Sequence, residues 1–249
     1  MSVSSDTEAE SGIPERDSEE FAQQVRGMFD RISGVYDLMN SAMTAGLHHE
    51  WRQRAVERAQ VGPASDALDV CCGTGDLSLE LRRQIGPDGR VVGCDFSEPM
   101  LEIARRKSGE EGLPVEFGWA DALDLPYGDG SFDAVTIGFG ARNLADLERG
   151  IAEMARVLRP EGRLVILEIT RPHRQPLASF YSFWFDKLVP VLGSLAGDPE
   201  AYSYLPDSVH SFPEPERLAG MLDAAGLTEI RWLLLAGGIV AIHSATKPA

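Results

Sequence analysis

Leu68-Asp69-Val70-Cys71-Cys72-Gly73-Thr74-Gly75-Asp76-Leu77 is the stretch that decides how this 249-residue chain is read. An apolar run ends in a glycine turn, and a helix-forming run begins at Asp76. A buried strand passes into a helix in this way in parallel α/β sheets. Glycines at 73 and 75 let the main chain take positive φ and approach a ligand closely, and the helix start offers unpaired N–H donors. Outward from the loop the alternation continues. Ala67–Cys72, Arg90–Asp95, Val115–Trp119, Phe132–Gly138 and Arg163–Ile169 read as strands one to five. Asp76–Ile85, Ser97–Lys107 (opened by Ser97 as a cap) and Leu147–Leu158 read as helices between them. Gly86-Pro87-Asp88-Gly89 and Pro160-Glu161-Gly162 mark two of the short turns.

The two ends of the chain depart from that rhythm. After a helix over Glu214–Ala225, the apolar runs Thr228–Leu235 and Ile239–Thr246 flank Ala236-Gly237-Gly238. Two such runs around a Gly-Gly turn predict a β-hairpin, and so an antiparallel strand in an otherwise parallel sheet. Before the sheet, Val25, Met28, Phe29, Ile32, Val35 and Tyr36 recur at helical spacing, and Leu47–Ala59 is a second helical stretch ended by Gly62-Pro63. The expected organisation is one domain over 21–249, with a helical cap over 21–62 and a helical insertion over 170–213. Residues 1–20 hold seven acids against Arg16 alone and almost nothing apolar, so a disordered acidic tail is expected there.

Charge and cysteines exclude several functions. Lys+Arg 23 against Asp+Glu 39 gives a net charge of −16, which repels phosphate backbones, so no nucleic acid partner is expected. Cys71, Cys72 and Cys94 lie in apolar stretches with no CxxC spacing, which argues against a disulfide framework or a metal site and fits a cytoplasmic setting. The N-terminus lacks the basic and apolar blocks of a signal peptide. Leu177–Leu195 is interrupted by Asp186, Lys187 and Pro190, which disfavours a spanning helix.

The glycine loop also narrows the ligand. Asp95 lies twenty residues past Gly75 at the end of strand two, placed to accept hydrogen bonds from a ribose diol. A dinucleotide fingerprint would need glycine where Ser78 stands. Asp69 in the strand and Asp76 at the helix start would repel a pyrophosphate but attract a sulfonium and an ammonium group. S-adenosylmethionine fits better than a nicotinamide dinucleotide. Asp121 and Ala122 follow strand three, where an adenine-binding carboxylate would sit.

Further segments carry a family resemblance. Leu125-Pro126-Tyr127-Gly128-Asp129-Gly130-Ser131-Phe132-Asp133 and Leu158-Arg159-Pro160-Glu161-Gly162-Arg163 resemble class I methyltransferases. Tyr36-Asp37-Leu38-Met39-Asn40, Gly46-Leu47-His48-His49-Glu50-Trp51, Gly138-Phe139-Gly140-Ala141-Arg142-Asn143, Tyr202-Ser203-Tyr204-Leu205 and Ala236–His243 are similar to the ubiquinone/menaquinone biosynthesis C-methyltransferase family, from about Phe21 to Thr246. The resemblance implies an α/β fold: a seven-stranded, mostly parallel Rossmann-like sheet with an antiparallel C-terminal strand. It implies methyl transfer from S-adenosylmethionine to a ring carbon of a prenylated quinol without a metal, with demethylmenaquinol to menaquinol the favoured reaction. It places Gly73, Thr74 and Gly75 in the cofactor loop, Asp95 at the ribose, Asp121 and Ala122 beside the adenine, and Gly138 where some relatives carry serine. Two departures are Asp121, where many relatives have Asn, and the Cys71-Cys72 pair.

The chemistry can be argued separately. A ring carbon is a poor nucleophile until a neighbouring phenol loses its proton. Arg142 is a fixed cation able to favour the phenolate directly or through water. Asn143 can orient a quinol oxygen, and Tyr36 can close over the cofactor or donate to the substrate; the resemblance points to the same three residues. The competing readings are an Arg142–Asp146 ion pair and a packing role for Tyr36. His48, His49, His173 and His243 are candidate bases, set aside because a lone histidine is more often structural. The apolar segment Leu177–Val189 reads as a lid and tunnel for a polyprenyl tail, or else as a core-covering helix. Rival functions are methylation of another phenolic or sterol-like metabolite or of the ubiquinone-pathway quinol, a silent cofactor-binding scaffold, and an NAD-dependent reductase. Homodimer formation, peripheral contact with the inner face of a membrane, the quinone nucleus and its tail length are left open.

Overall fold

The computed structural model describes residues 19–172 and 199–249. Most of the acidic tail, His173 and the expected Leu177–Val189 lid lie outside those residues. The cap comprises α1 (Glu19–Ile32), a single 3-10 turn (Ser33–Val35), α2 (Tyr36–Thr44) and α3 (Leu47–Ala59). The sheet region then runs β1 (Asp66–Val70), α4 (Asp76–Ile85), β2 (Arg90–Asp95), α5 (Glu98–Glu111), β3 (Glu116–Trp119), β4 (Phe132–Gly138), α6 (Leu147–Val157) and β5 (Leu158–Ile169). It ends with α7 (Pro199–Ser211), α8 (Pro215–Ala224), β6 (Thr228–Leu235) and β7 (Val240–Thr246).

The seven strands are ordered β3-β2-β1-β4-β5-β7-β6. β1 pairs in parallel with both β2 and β4, so the strand order reverses beside it and a crevice opens at the carboxyl ends of β1 and β4. β7 runs antiparallel to β5 and to β6, the arrangement the hairpin predicted. Alternate residues divide the core between the two faces. Leu68, Val135, Ile137, Leu164 and Ile166 pack with Ile151 and Met154 of α6 and Leu222 of α8. Ala67, Ala134, Val165 and Leu167 pack with Ala55 and Val56 of α3 and Leu77 and Leu81 of α4. A small third cluster around Met28 joins α1 and α2 to Tyr204 and Leu205 of α7.

Some boundaries differ from the sequence expectation. β1 stops at Val70 because Cys71 turns to φ 52°, which an extended strand cannot contain. β5 starts at Leu158 rather than Arg163. The β4–β5 register jumps from Phe132↔Leu158 to Ala134↔Arg163, and Glu161 at φ 64° sits within the bulge that Pro160-Glu161-Gly162 forms.

Candidate functional site

The glycine loop sits at the crevice between β1 and β4. Gly73 (φ 54°) and Gly75 (φ 85°) both use the left-handed region. A side chain at Gly75 would also meet Ala104 Cβ and the Phe117 ring, each at 2.9 Å. The loop borders a cleft, about 1060 Å³ of empty space counted out into solvent, that Gly73, Thr74, Asp95, Asp121, Ala122, Gly138, Asn143 and Tyr36 all line. They come from four strand ends and the cap, as the sequence led one to expect.

Asp95 is buried, and its two oxygens accept from Gly73 N (2.8 Å) and Ser97 N (2.9 Å). A carboxylate has about four acceptor positions, so acceptor capacity remains for a diol beyond these backbone donors. Burial raises its pKa above the ordinary value despite those backbone donors. Asp121 is exposed, with one oxygen accepting from Leu123 N at 2.8 Å, while Ala122 is buried beside it. Gly138 ends β4 with Leu77 Cδ2 only 3.0 Å from where a Cβ would stand. Asp69 is fully buried, accepting from Ser78 Oγ (2.6 Å) and Thr136 Oγ1 (2.9 Å), and burial pushes its pKa up to about 7.

Asp76 does not face the ligand alone, as the sequence suggested. It is paired with Lys107 and lies 3.2 Å from Arg52. Burial opposes its ionisation, but the two cations outweigh that and hold its pKa below the usual carboxylate range. The cap is tied to the sheet by the same group of charges: Thr74 Oγ1 donates to Asp37 at 2.6 Å, Lys107 reaches Asp37 at 3.1 Å, and Ser97 Oγ donates to Asp30 at 2.5 Å. These partners were missed because each pair spans 37 residues or more.

A second cavity of about 1460 Å³ adjoins the first, with Phe29, Tyr36, Arg52 and Phe139 bordering both. Its remaining wall is mostly carbon, from Met28, Ile32, Met39, Met43, Trp51 and Ile239, with Asn40, Thr44, His48, Arg142 and Tyr204 as polar exceptions. Tyr36 begins α2 at this junction, and burial raises its phenol pKa although Arg142 opposes the shift. It is therefore a hydrogen-bond donor near neutral pH, not a base.

Arg142 lies in a single 3-10 turn after β4 and is buried. Its Nη1 donates to Glu168 Oε1 (2.8 Å) and to the Phe139 carbonyl (2.5 Å). The proposed pairing with Asp146 is not formed. Asp146 instead caps α6 by accepting from Arg149 N at 2.9 Å, while Glu168 of the neighbouring strand takes the guanidinium. Burial alone would lower the pKa of Arg142, yet Glu168 outweighs it and the guanidinium stays charged. Its Nε is buried with no hydrogen-bond partner among the described residues. Asn143 accepts from Tyr204 OH at 3.2 Å, and its amide nitrogen reaches the Phe139 carbonyl only at 3.5 Å.

The ubiE/COQ5 methyltransferase family matches residues 17–247. The chain belongs to that family. A demethylmenaquinone methyltransferase of Thermus thermophilus is 47% identical over 89% of this chain and 100% of that protein. One from Desulfitobacterium hafniense is 43% identical over 91% of each chain, and a ubiquinone/menaquinone biosynthesis C-methyltransferase of Saccharophagus degradans is 40% identical over 95% and 96%. A methyltransferase structure from Thermotoga maritima superposes with TM-score 0.63 at 19% identity, covering 90% of this chain and 99% of that one. The [4+2]-cyclase SpnF superposes with TM-score 0.67 at 22% identity over 91% and 96%. At such identities the structures speak for the fold alone. Family and fold together make the protein an S-adenosylmethionine-dependent methyltransferase. Among the described residues no cluster of His, Cys, Asp or Glu could hold a metal, and no helix is long and apolar enough to cross a membrane.

Proposed function

We propose that this methyltransferase converts demethylmenaquinol to menaquinol, methylating a ring carbon of a prenylated quinol. The observation that carries the reading is the apolar cavity under the cap, joined to the cofactor cavity at Tyr36 and Phe139 and bordered by Arg142. A mostly hydrocarbon-lined cleft suits an apolar ring and the start of its tail far better than a polar metabolite. The names of the relatives support the same substrate class.

In this reading Gly73 and Thr74 border the amino-acid part of the cofactor, while Gly75 only shapes the turn behind them. Asp95 takes the ribose hydroxyls, and Asp121 and Ala122 flank the adenine. When bound, S-adenosylmethionine supplies an electrophilic methyl group on a sulfonium. Arg142 favours the phenolate by its fixed charge, with Glu168 and the Phe139 carbonyl holding its Nη1 and so fixing the guanidinium in place. Asn143 offers an amide N–H to a quinol oxygen, with Tyr204 holding its carbonyl and the Phe139 carbonyl reached by its nitrogen only at 3.5 Å. Tyr36 donates from the junction. Exposed Leu38 and Leu47 on the cap, the latter also bordering the larger cavity, support peripheral contact with the membrane that stores such quinols.

The test is the quinone profile of cells lacking the protein. Accumulation of demethylmenaquinone supports the reading. An unchanged profile, or loss of ubiquinone with menaquinone intact, refutes it.

A further inference from the structure

His48, the second residue of α3, is 3% exposed and borders the larger cavity. Its Nδ1 lies 2.7 Å from Thr44 Oγ1, and that hydroxyl lies 2.7 Å from the carbonyl of Asn40. A hydroxyl has one hydrogen, and a carbonyl can only accept. Thr44 therefore donates to Asn40 and accepts from His48, so the imidazole hydrogen sits on Nδ1. Nε2 carries a bare lone pair, and no hydrogen bond satisfies it among the described residues. The turn between α2 and α3 thus fixes one tautomer of a histidine facing the space where the aromatic ring is read to bind.

We propose that His48 Nε2 is the group that receives the quinol hydroxyl proton during methyl transfer. The proposal rests on the quinol reading above and supplies the proton acceptor that reading lacks. The hydroxyl O–H bond breaks toward Nε2 and its electron pair moves through the ring to the neighbouring carbon. That carbon takes the methyl group as the S–C bond breaks toward sulfur. The imidazolium then returns its proton to the same oxygen, while the methylated carbon releases its own hydrogen to water as H⁺. One ring C–H and one sulfonium methyl become a C–CH₃ bond, a thioether and a solvent proton, with no oxidant or metal consumed. His48 gains a positive charge as sulfur loses one, so the summed charge of the joined cavities does not change.

The surroundings keep the acceptor neutral. Burial disfavours the imidazolium, as do Arg52 and His49 of α3. Asp76 of α4 and Asp37 of α2 pull the other way, and the balance puts the pKa at about 4. An acceptor of that pKa is too weak to ionise a free phenol by itself. Proton and methyl must therefore move together, with Arg142 stabilising the oxygen.

Two measurements test this. Nitrogen-15 NMR of the cofactor-free protein should show His48 protonated on Nδ1 and bare on Nε2, and only the Nε2 signal should move when a short-tailed demethylated naphthoquinol is added. Single-turnover kinetics should show His48→Gln losing about 10²–10⁴ in rate with cofactor affinity unchanged. Thr44→Val, which frees the tautomer, should lose less. The wild-type rate should stay flat down to about pH 5, where an ordinary histidine would already be protonated. An Nε2–H tautomer, an Nε2 signal indifferent to quinol, or a His48→Gln rate within about twofold of wild type would overturn the proposal. Where His48→Gln does not fold, the wild-type spectrum decides alone. If the wild type methylates no quinol, the functional reading fails; if it does and His48→Gln matches it, only the role of His48 fails.

Discussion

Arg142→Ala separates a catalytic guanidinium from a merely structural one. In the native protein the guanidinium balances Glu168, which is 1% exposed and also accepts from Arg142 N (3.2 Å) and Ile169 N (2.8 Å). Removing one partner of such a buried pair typically costs about 3–5 kcal/mol, a large part of the roughly 5–15 kcal/mol that holds a domain folded. Arg142→Ala should therefore shift urea unfolding strongly, and a loss of activity alone would be ambiguous. The double variant Arg142→Met/Glu168→Gln removes both charges, fills the space, and keeps an acceptor for one of the two backbone amides. It should recover most of the stability. If Arg142 stabilises the developing phenolate, the double variant should still lose roughly 10²–10³ in single-turnover rate, with cofactor affinity close to wild type. Its lost rate should return in part at high pH, where the free quinol ionises unaided. Arg142→Lys should rescue only partly, since an ammonium cannot present the planar fork to both Glu168 and the ring oxygen. Recovery of rate along with stability in the double variant would show that Arg142 only holds β5 against the turn after β4.

Other expectations follow from neighbouring groups. Asp95→Asn should weaken S-adenosylmethionine binding by about 1.5–3 kcal/mol, since a charge-assisted bond is lost; unchanged calorimetric affinity would mean the acid does not meet the ribose. Asp69 is protonated below its raised pKa of about 7, and a bound sulfonium favours the ionised form. Cofactor affinity should accordingly rise from pH 5 to 7, level off above, and release protons on binding below 7; a flat profile, or a wild-type slope retained in Asp69→Asn, refutes this. Asp37→Asn should loosen the contact with Thr74 and Lys107, speeding amide exchange in α2 while leaving β1 and β4 unchanged. Equal exchange in α2 would show that those bonds do not hold the cap.

The parallel sheet, the glycine turn and the closing hairpin were legible because local pattern dictates them: apolar runs of strand length, positive-φ glycines, and Gly-Gly between two β-rich segments. The position of Asp95 at the end of β2 was legible because its spacing from the glycine loop is set by one strand and one helix. What stayed hidden is non-local. Nothing in the sequence near Arg142 indicates that Glu168, 26 residues on, takes its guanidinium, and the nearer Asp146 looked the simpler partner until its capping role was visible. Asp76 likewise read as a ligand for a cation because Arg52 and Lys107 approach it only in the folded chain. His48 was visible as a candidate base and set aside. The bond to Thr44, four residues earlier, is a local signal, but it gains meaning only once the cavity beside the ring is known.

The most direct measurement is methyl transfer by the purified protein from labelled S-adenosylmethionine to a reduced, demethylated naphthoquinol carrying a short prenyl chain. Label should appear on the ring carbon beside a hydroxyl, in step with release of S-adenosylhomocysteine. Cofactor binding without transfer, or label on the quinol oxygen, would contradict ring-carbon methylation as the reaction of this protein.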